Sequence, residues 1–156
     1  MATGIPGEEL ARVGLGLRVD RATATLPQTT DDALFTISGG RILLTGIIGE
    51  VTTVIQTQAC NTKLKMNPTA TGADQDLCAV LDITADAVGE IYTIDGTVGN
   101  AMRSDLLIGL NSLLGAGGLV LPEGDIELDC AASNTGSVSW SLYYWPWDLG
   151  AAVVAA

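Results

Sequence analysis

The chain of 156 residues contains no histidine. Histidine is the usual general base of serine and cysteine hydrolases and the commonest metal ligand in proteins. Its absence excludes Ser-His-Asp and Cys-His arrangements, histidine zinc sites and facial-triad iron sites. The S-x-x-K and G-x-S-x-G patterns of other serine enzymes are also missing, as are the P-loop and G-x-G-x-x-G patterns that hold cofactor phosphates. We therefore expect no enzyme activity and no cofactor.

Charged residues are scarce, at 16% of the chain, and eighteen acids against seven bases give a net charge of −11. A basic patch for a phosphate backbone is not expected, which predicts that nucleic acid is not a partner. The hydrophobic content of 47% is too high for a disordered chain, and the length suits one domain with its own core. The composition also indicates that some apolar surface meets a partner.

The sequence has no hydrophobic run long enough for a membrane span. Its most apolar stretch, residues 106–121, contains Asn111, Ser112 and four glycines and is shorter than the roughly 20 residues of a spanning helix. Residues 1–14 lack the basic start and apolar run of a secretory signal. We expect no membrane partner and synthesis in the cytoplasm.

The chain contains few cysteines, and their spacing matches no paired-cysteine motif. Cys60, Cys78 and Cys130 are widely spaced, odd in number and form no C-x-x-C pair. Two of them lie in apolar, strand-like surroundings, and a free cysteine behaves as a small hydrophobe. We predict buried, reduced thiols, with a single disulfide or a reactive thiol as the alternatives.

The pattern from Ala33 onward is that of β-strands. Residues 41–58 are rich in Ile, Val and Thr, with Gly46 and Gly49 as bulge or bend points. Residues 137–144 alternate serine with Val, Trp, Leu and Tyr, so that one face is apolar. Strands are predicted at residues 34–38, 41–58, 62–66, 76–83, 90–94, 119–121, 125–130 and 137–144, and residues 103–110 form a short helix or another strand.

Eight short strands with little helix and no strand–helix alternation predict an all-β, antiparallel β-sandwich or jelly-roll-like single domain. Residues 1–30 show no sustained period and contain several glycines, with room for a helical turn around residues 8–12. We interpret them as an extended N-terminal arm, and residues 31–156 as the sandwich domain.

Carboxylates are the only abundant ionisable groups. Asp74 and Asp76 follow a glycine, but the further oxygen ligands and closing Glu of a calcium loop are missing. Two carboxylates of a glycosidase cannot be identified from spacing, and a single Phe offers no aromatic-lined cleft. We predict a solvated loop and no metal site.

The C-terminal region gathers aromatic and apolar residues. Four of the chain's aromatics lie in residues 143–147, where Trp145 and Trp147 flank Pro146 at the predicted edge of the domain. The two tryptophans either cap the core, anchor an interface or stack on carbohydrate. The tail from Leu149 to Ala156 has no charged side chain, and burying it against a neighbour would suit an oligomer of closed three-fold symmetry.

These features define a candidate interface made of the arm, the tryptophan edge and the tail. Its predicted residues are Ile5, Leu10, Val13, Leu15, Leu17, Trp145, Trp147, Val153 and Val154.

The order of segments resembles a known family. An irregular arm is followed by ISGGRILLTG at residues 37–46, LVLPEGDIEL at residues 119–128, SVSWSLYY at residues 137–144 and the apolar Ala-Val tail. This order is similar to that of the small β-rich virion proteins of tailed bacteriophages, notably those infecting actinobacteria. The resemblance covers roughly residues 33–156 and contains no catalytic motif, so no site residue is transferred.

The resemblance implies a structural protein of the virion. Such proteins are thought to decorate or cement the capsid, often as trimers. The implied partners are the major capsid protein of the assembled shell and further copies of this chain, which form a homotrimer on the capsid exterior. Two rival functions remain: a tail or fibre domain that binds host carbohydrate, and a cellular sandwich module with a Cys78–Cys130 or Cys60–Cys78 disulfide.

Overall fold

The computed structural model describes residues 4, 6–106 and 118–156, and for Glu8 and Leu10 it describes the backbone. Within these residues a single short helix, α1 (Gly7–Leu15), precedes twelve strands. The strands are β1 (Leu17–Thr25), β2 (Asp31–Ser38), β3 (Ile42–Thr53), β4 (Asn61–Pro68), β5 (Gln75–Asp76), β6 (Leu81–Asp82), β7 (Ile91–Thr93), β8 (Arg103–Asp105), β9 (Leu119–Leu121), β10 (Gly124–Cys130), β11 (Ser137–Pro146) and β12 (Ala152–Ala155).

The strands form two antiparallel sheets of six. Sheet A has the order β1-β11-β3-β7-β8, with β9 also paired to β3, and sheet B has the order β12-β2-β10-β4-β5, with β6 also paired to β4. Consecutive strands often belong to different sheets, so the chain crosses repeatedly between the layers. The predicted all-β sandwich class is confirmed.

Alternation in β11 shows how the sequence builds the core. Val138, Trp140, Leu142 and Tyr144 are buried, while the serines between them lie on the outer face. Sheet B contributes the facing apolar side chains, among them Phe35 and others that are fully buried. A hydrogen bond from the Val153 amide to the Tyr144 hydroxyl, 3.3 Å long, links the two layers.

Gly49 of β3 makes room for the largest core side chain. It lies opposite Trp140 in the register of β3 and β11, and a Cβ at this position would lie 2.8 Å from the indole ring. Gly46, the other predicted bend point, lies where the register shifts and β3 carries an extra residue, a β-bulge. Both glycines therefore shape the strand as the sequence indicates.

Two segments that are predicted to extend from the domain, the arm and the tail, pair with its own sheets instead. Residues 17–25, predicted as part of the arm, form β1 and pair with β11, and residues 7–15 of the arm are helical. The apolar tail, expected against a neighbour, pairs as β12 with the chain's own β2. Its alternation places Val153 in the core and Val154 outside. Of the tail from Leu149 to Ala156, Ala151 and Val153 are buried and the other residues are exposed.

Candidate functional site

One end of sheet A carries a concentration of exposed apolar side chains. We call it the α1 end: α1, the start of β1 and of β3, β9, the end of β11 and the turn at residues 146–150. These pieces are adjacent because the start of β1 lies opposite the end of β11, at Leu17 and Tyr144, and the start of β3 lies opposite Pro146. Antiparallel pairing alone therefore brings distant sequence segments together.

Gly16 sets the direction of α1 relative to the sheet. Its φ of 92° lies in the left-handed region, and a Cβ there would be 2.2 Å from the carbonyl oxygen of Tyr144. Only glycine fits such a close approach. The Thr45 hydroxyl on β3 donates a 2.5 Å hydrogen bond to the carbonyl oxygen of Leu15, so the C-terminus of α1 is held over the outer face of sheet A.

A cleft of about 430 Å³ lies between α1 and this sheet. Leu15 and Leu17 give it an apolar wall, and Arg12, Arg18 and Tyr143 give it a polar one. Ala11 and Gly16 complete its described lining.

Arg18 is fixed on the rim of the cleft by three interactions. Its Nε donates a 2.7 Å hydrogen bond to Asp20, its terminal nitrogen donates one of 3.2 Å to Ser141, and its guanidinium lies 5.7 Å from the centre of the Tyr143 ring. The Ser141 hydroxyl and then Arg18 lower the pKa of Asp20. Asp20 and Arg18 therefore both stay charged at neutral pH.

A row of apolar side chains crosses the outer face beside the cleft. Trp145 of β11 pairs with Leu43 of β3, which pairs with Val120 of β9. Paired residues of antiparallel strands project from the same face, so the three side chains are neighbours. Trp145 and Val120 are exposed and Leu43 is half-buried.

The turn after β11 carries two more exposed apolar side chains. Trp147 is 56% exposed and Leu149 is fully exposed. The turn is held by Arg41, whose two guanidinium nitrogens donate hydrogen bonds of 2.8 and 2.9 Å to the two oxygens of Asp148. These bonds, with one from the Arg41 amide, lower the pKa of Asp148 to about 2. A bidentate pair of this kind orients the turn.

The structure places the predicted interface residues in different surroundings. Val13, Leu17, Trp145 and Trp147 are exposed at the α1 end, and Leu15 is half-buried there. Val154 is exposed on the outer face of sheet B, and Val153 is buried in the core, where it has almost no surface to offer a partner. Ile5 and the side chain of Leu10 lie outside the described residues.

Several residues of the α1 end were not singled out by the sequence. Arg18, Tyr143, Leu43 and Val120 reach it through strand pairing over long sequence distances. A local signal did exist in the alternation of Leu17 and Val19 with Arg18 and Asp20, which is typical of a strand with one polar face.

Charge separates the α1 end from the rest of the molecule. Residues 7–20, 41–45, 119–121 and 143–150 carry four acids and three arginines, a net charge of −1, out of the −11 of the whole chain. The remaining segments therefore carry a net charge of −10. Of the twelve exposed large apolar side chains in the described residues, the α1 end holds six, including both exposed tryptophans.

The acidic surface includes a carboxylate cluster on sheet B that contains Asp74. Asp31, Asp74 and Glu127 bring one oxygen each to within 4.8 Å of one another. The ammonium group of Lys65 forms ion pairs with Asp31 and, at 3.1 Å, with Asp74. Lysine therefore supplies the positive charge in this cluster, and the hydrogen bond to Asp31 raises the pKa of Lys65.

All three cysteines are buried and free, which confirms the prediction of unbonded thiols. Cys60 donates a weak 3.5 Å hydrogen bond to the carbonyl oxygen of Ala132, and the Cys130 sulfur lies 3.4 Å from the Thr62 hydroxyl. Burial raises the pKa of Cys78, and it raises the pKa of Cys130 to about 12. The thiols of Cys78 and Cys130 are therefore poor nucleophiles.

Comparisons with protein families, with curated proteins and with solved structures find no match to this chain. Among the described residues, no helix has the length and apolar character that crossing a membrane requires.

Proposed function

We propose that the protein is a structural component of a phage virion that binds the outer surface of the capsid and stabilises the assembled head. The observation that carries the proposal is the concentration of exposed apolar and aromatic side chains at the nearly neutral α1 end of an otherwise acidic molecule. The resemblance of residues 33–156 to small β-rich virion proteins gives the partner its identity, the major capsid protein of the shell.

The α1 end has the properties of a protein-binding surface. Its centre contains tryptophan, the residue type that most often dominates binding energy at interfaces. Its ordered turn holds Trp147 and Leu149 outward before any partner arrives, because Arg41 and Asp148 fix the backbone between β11 and β12. A preorganised surface loses less entropy on binding.

The charge distribution suits one orientation on the shell. The nearly neutral α1 end faces the capsid, and the segments with a net charge of −10 face the solvent. The acidic exterior discourages contact with DNA during assembly. Binding that occurs only on the assembled lattice stabilises that lattice through ordinary linkage.

The test is sedimentation of the purified protein with expanded phage heads that lack it, and separately with unassembled capsid protein. We expect co-sedimentation with heads that saturates at a fixed ratio per capsomer, and none with free subunits. Protein that remains in the supernatant with heads would overturn the proposal.

A pair of matched variants assigns the binding to the α1 end. Replacing both Trp145 and Trp147 with alanine should abolish co-sedimentation without unfolding the domain, since both side chains are exposed. Val88 and Val98 are also exposed apolar residues, in another part of the chain, so their double alanine variant is the control and should bind heads normally. Normal binding by the tryptophan variant, or loss of binding by the control, would contradict the assignment.

The alternative function is host-carbohydrate binding by a tail or fibre domain. The cleft with Tyr143 on its wall favours it, because tyrosine rings stack on sugars. Against it, Arg18 already lies over the Tyr143 ring. A glycan array is the deciding measurement: a defined sugar ligand that is lost in a Tyr143→Ala variant would favour this function over capsid binding.

A further inference from the structure

β1 leaves one side of sheet A open. It is the first strand in the order of that sheet, and among the described residues only β11 pairs with it. Its nine residues include no proline. Unpaired edges of this length are templates for pairing with another chain, and proteins usually cover or distort them.

The regular part of this edge is short and well defined. Leu17 to Arg21 pair residue by residue with β11, and the register shifts between Arg21 and Ala24. A bulge interrupts the hydrogen-bonding pattern that a new strand would need. The usable window is therefore the five residues centred on Val19.

The charges in this window are complementary between two antiparallel copies of the strand. Arg18 and Asp20 flank Val19 on the outer face, with side chains 54% and 59% exposed. In an antiparallel pair of two identical strands centred on Val19, Arg18 of each copy lies opposite Asp20 of the other. Such opposite pairs stabilise a sheet, whereas like charges directly opposite destabilise it.

The helix does not cover the edge. The carbonyl oxygen of Leu15 accepts a hydrogen bond from Thr45 on β3, and Gly16 lies against the backbone of Tyr144 on β11. Because β3 is on the far side of β11 from β1, the end of α1 points inward over the sheet.

We propose that two copies of the protein join antiparallel through β1, about a two-fold axis at Val19, so that their A sheets form one continuous sheet. The contact is isologous: each copy presents the same surface to the other, as closed two-fold symmetry requires. The proposal is independent of capsid binding. It differs from the three-fold assembly that the resemblance implies.

Sedimentation equilibrium of the purified protein tests the stoichiometry. We expect a concentration-dependent species of twice the 16.0 kDa chain mass. A monomer at every concentration, or a trimer, would overturn the proposal.

Charge reversal tests the register. In Arg18→Asp or Asp20→Arg alone, both cross-strand pairs become repulsive, and self-association should weaken about tenfold or more. Mixing the two variants should restore association as a heterodimer, because acids on one strand then face arginines on the other. Urea unfolding of each variant checks that the fold is intact.

The mixing result is specific to pairing centred on Val19. Variants that still self-associate like the wild type, or a mixture that stays monomeric while each variant is folded, would rule out the proposed register. A double variant, Arg18→Asp with Asp20→Arg, retains complementarity and should dimerise with itself.

Discussion

Gly14 and Gly16, at the C-terminal end of α1, have different structural roles. Gly16 combines a positive φ with contact against the backbone of β11, whereas Gly14, inside the helix, has open space where a Cβ would be. A glycine in a helix interior lowers its stability by up to about 1 kcal/mol relative to alanine. The same substitution should therefore have opposite effects two residues apart.

We predict that Gly16→Ala destabilises the fold by about 1–3 kcal/mol, because the new methyl group collides with the Tyr144 carbonyl and the backbone is strained. Gly14→Ala should be neutral or slightly stabilising. Urea unfolding of both variants measures the difference. Equal stabilities would show that the α1 junction is not built as described.

Lys65 provides a second case at the scale of one side chain. Its ammonium group neutralises Asp31 and Asp74, and Glu127 lies beside them. Without that positive charge, three carboxylates would face one another across less than 5 Å, an arrangement that hard cations such as calcium favour.

We predict that calcium leaves the thermal stability of the wild type unchanged and raises that of Lys65→Met. The expected melting temperature of the variant without calcium is lower than that of the wild type, since like charges repel. A Lys63→Met variant, which disturbs the neighbouring pair with Asp76, serves as the control and should show a smaller response to calcium.

At the scale of elements, the turn between β11 and β12 depends on one ion pair. Asp148 is half-buried and accepts hydrogen bonds from the guanidinium and amide of Arg41. A lowered pKa means that the charged form is the one the fold favours. Its contribution is therefore present above the ordinary aspartate pKa and is lost as pH falls through about 2.

We predict that Arg41→Gln raises the pKa of Asp148 from about 2 toward the ordinary aspartate range, as followed by NMR titration of the side-chain carboxyl. The turn should also become less ordered. An unchanged titration midpoint would mean that the backbone amide alone holds the carboxylate.

Strands with an unbroken apolar alternation were predictable, even where charged residues lie between the apolar ones, and a strand whose alternation is broken was not. The predicted strand at residues 137–144 matches β11, and those at residues 62–66 and 125–130 match β4 and β10 within two residues at each end. β1 was missed because Arg18, Asp20 and Arg21 interrupt its apolar residues, and because its partner lies over a hundred residues away in β11. For the same reason, only part of the α1 end was predictable. Trp145 and Trp147 form a local signal in the sequence, whereas Leu43 and Val120 join them only through strand pairing.

At the scale of the whole molecule, buried ionisable groups make stability depend on alkaline pH. Burial raises the pKa of Cys78 and of Tyr92, and it raises the pKa of Cys130 to about 12. In the unfolded chain a thiol ionises near pH 8.5 and a tyrosine near pH 10. Above those values only the unfolded state releases protons, so rising pH favours unfolding.

We predict that the free energy of unfolding falls from about pH 8.5 upward, by as much as about 1.4 kcal/mol per pH unit for each buried group that titrates only when unfolded. Urea midpoints across the alkaline range measure the slope. Cys130→Ala should lower stability at neutral pH but flatten the slope, and a variant with the wild-type slope would contradict a buried, neutral Cys130.

The position of β11 between β1 and β3 has a consequence for the order in which the protein can fold. β11 is made late in synthesis, yet it supplies the partner of β1 and covers one edge of β3. Until residues 137–146 have left the ribosome, the strand that lies between β1 and β3 is missing. Pairings between strands that are distant in sequence form slowly. We therefore expect nascent chains that stop short of β11 to expose unpaired strand edges and to aggregate more readily than the complete chain.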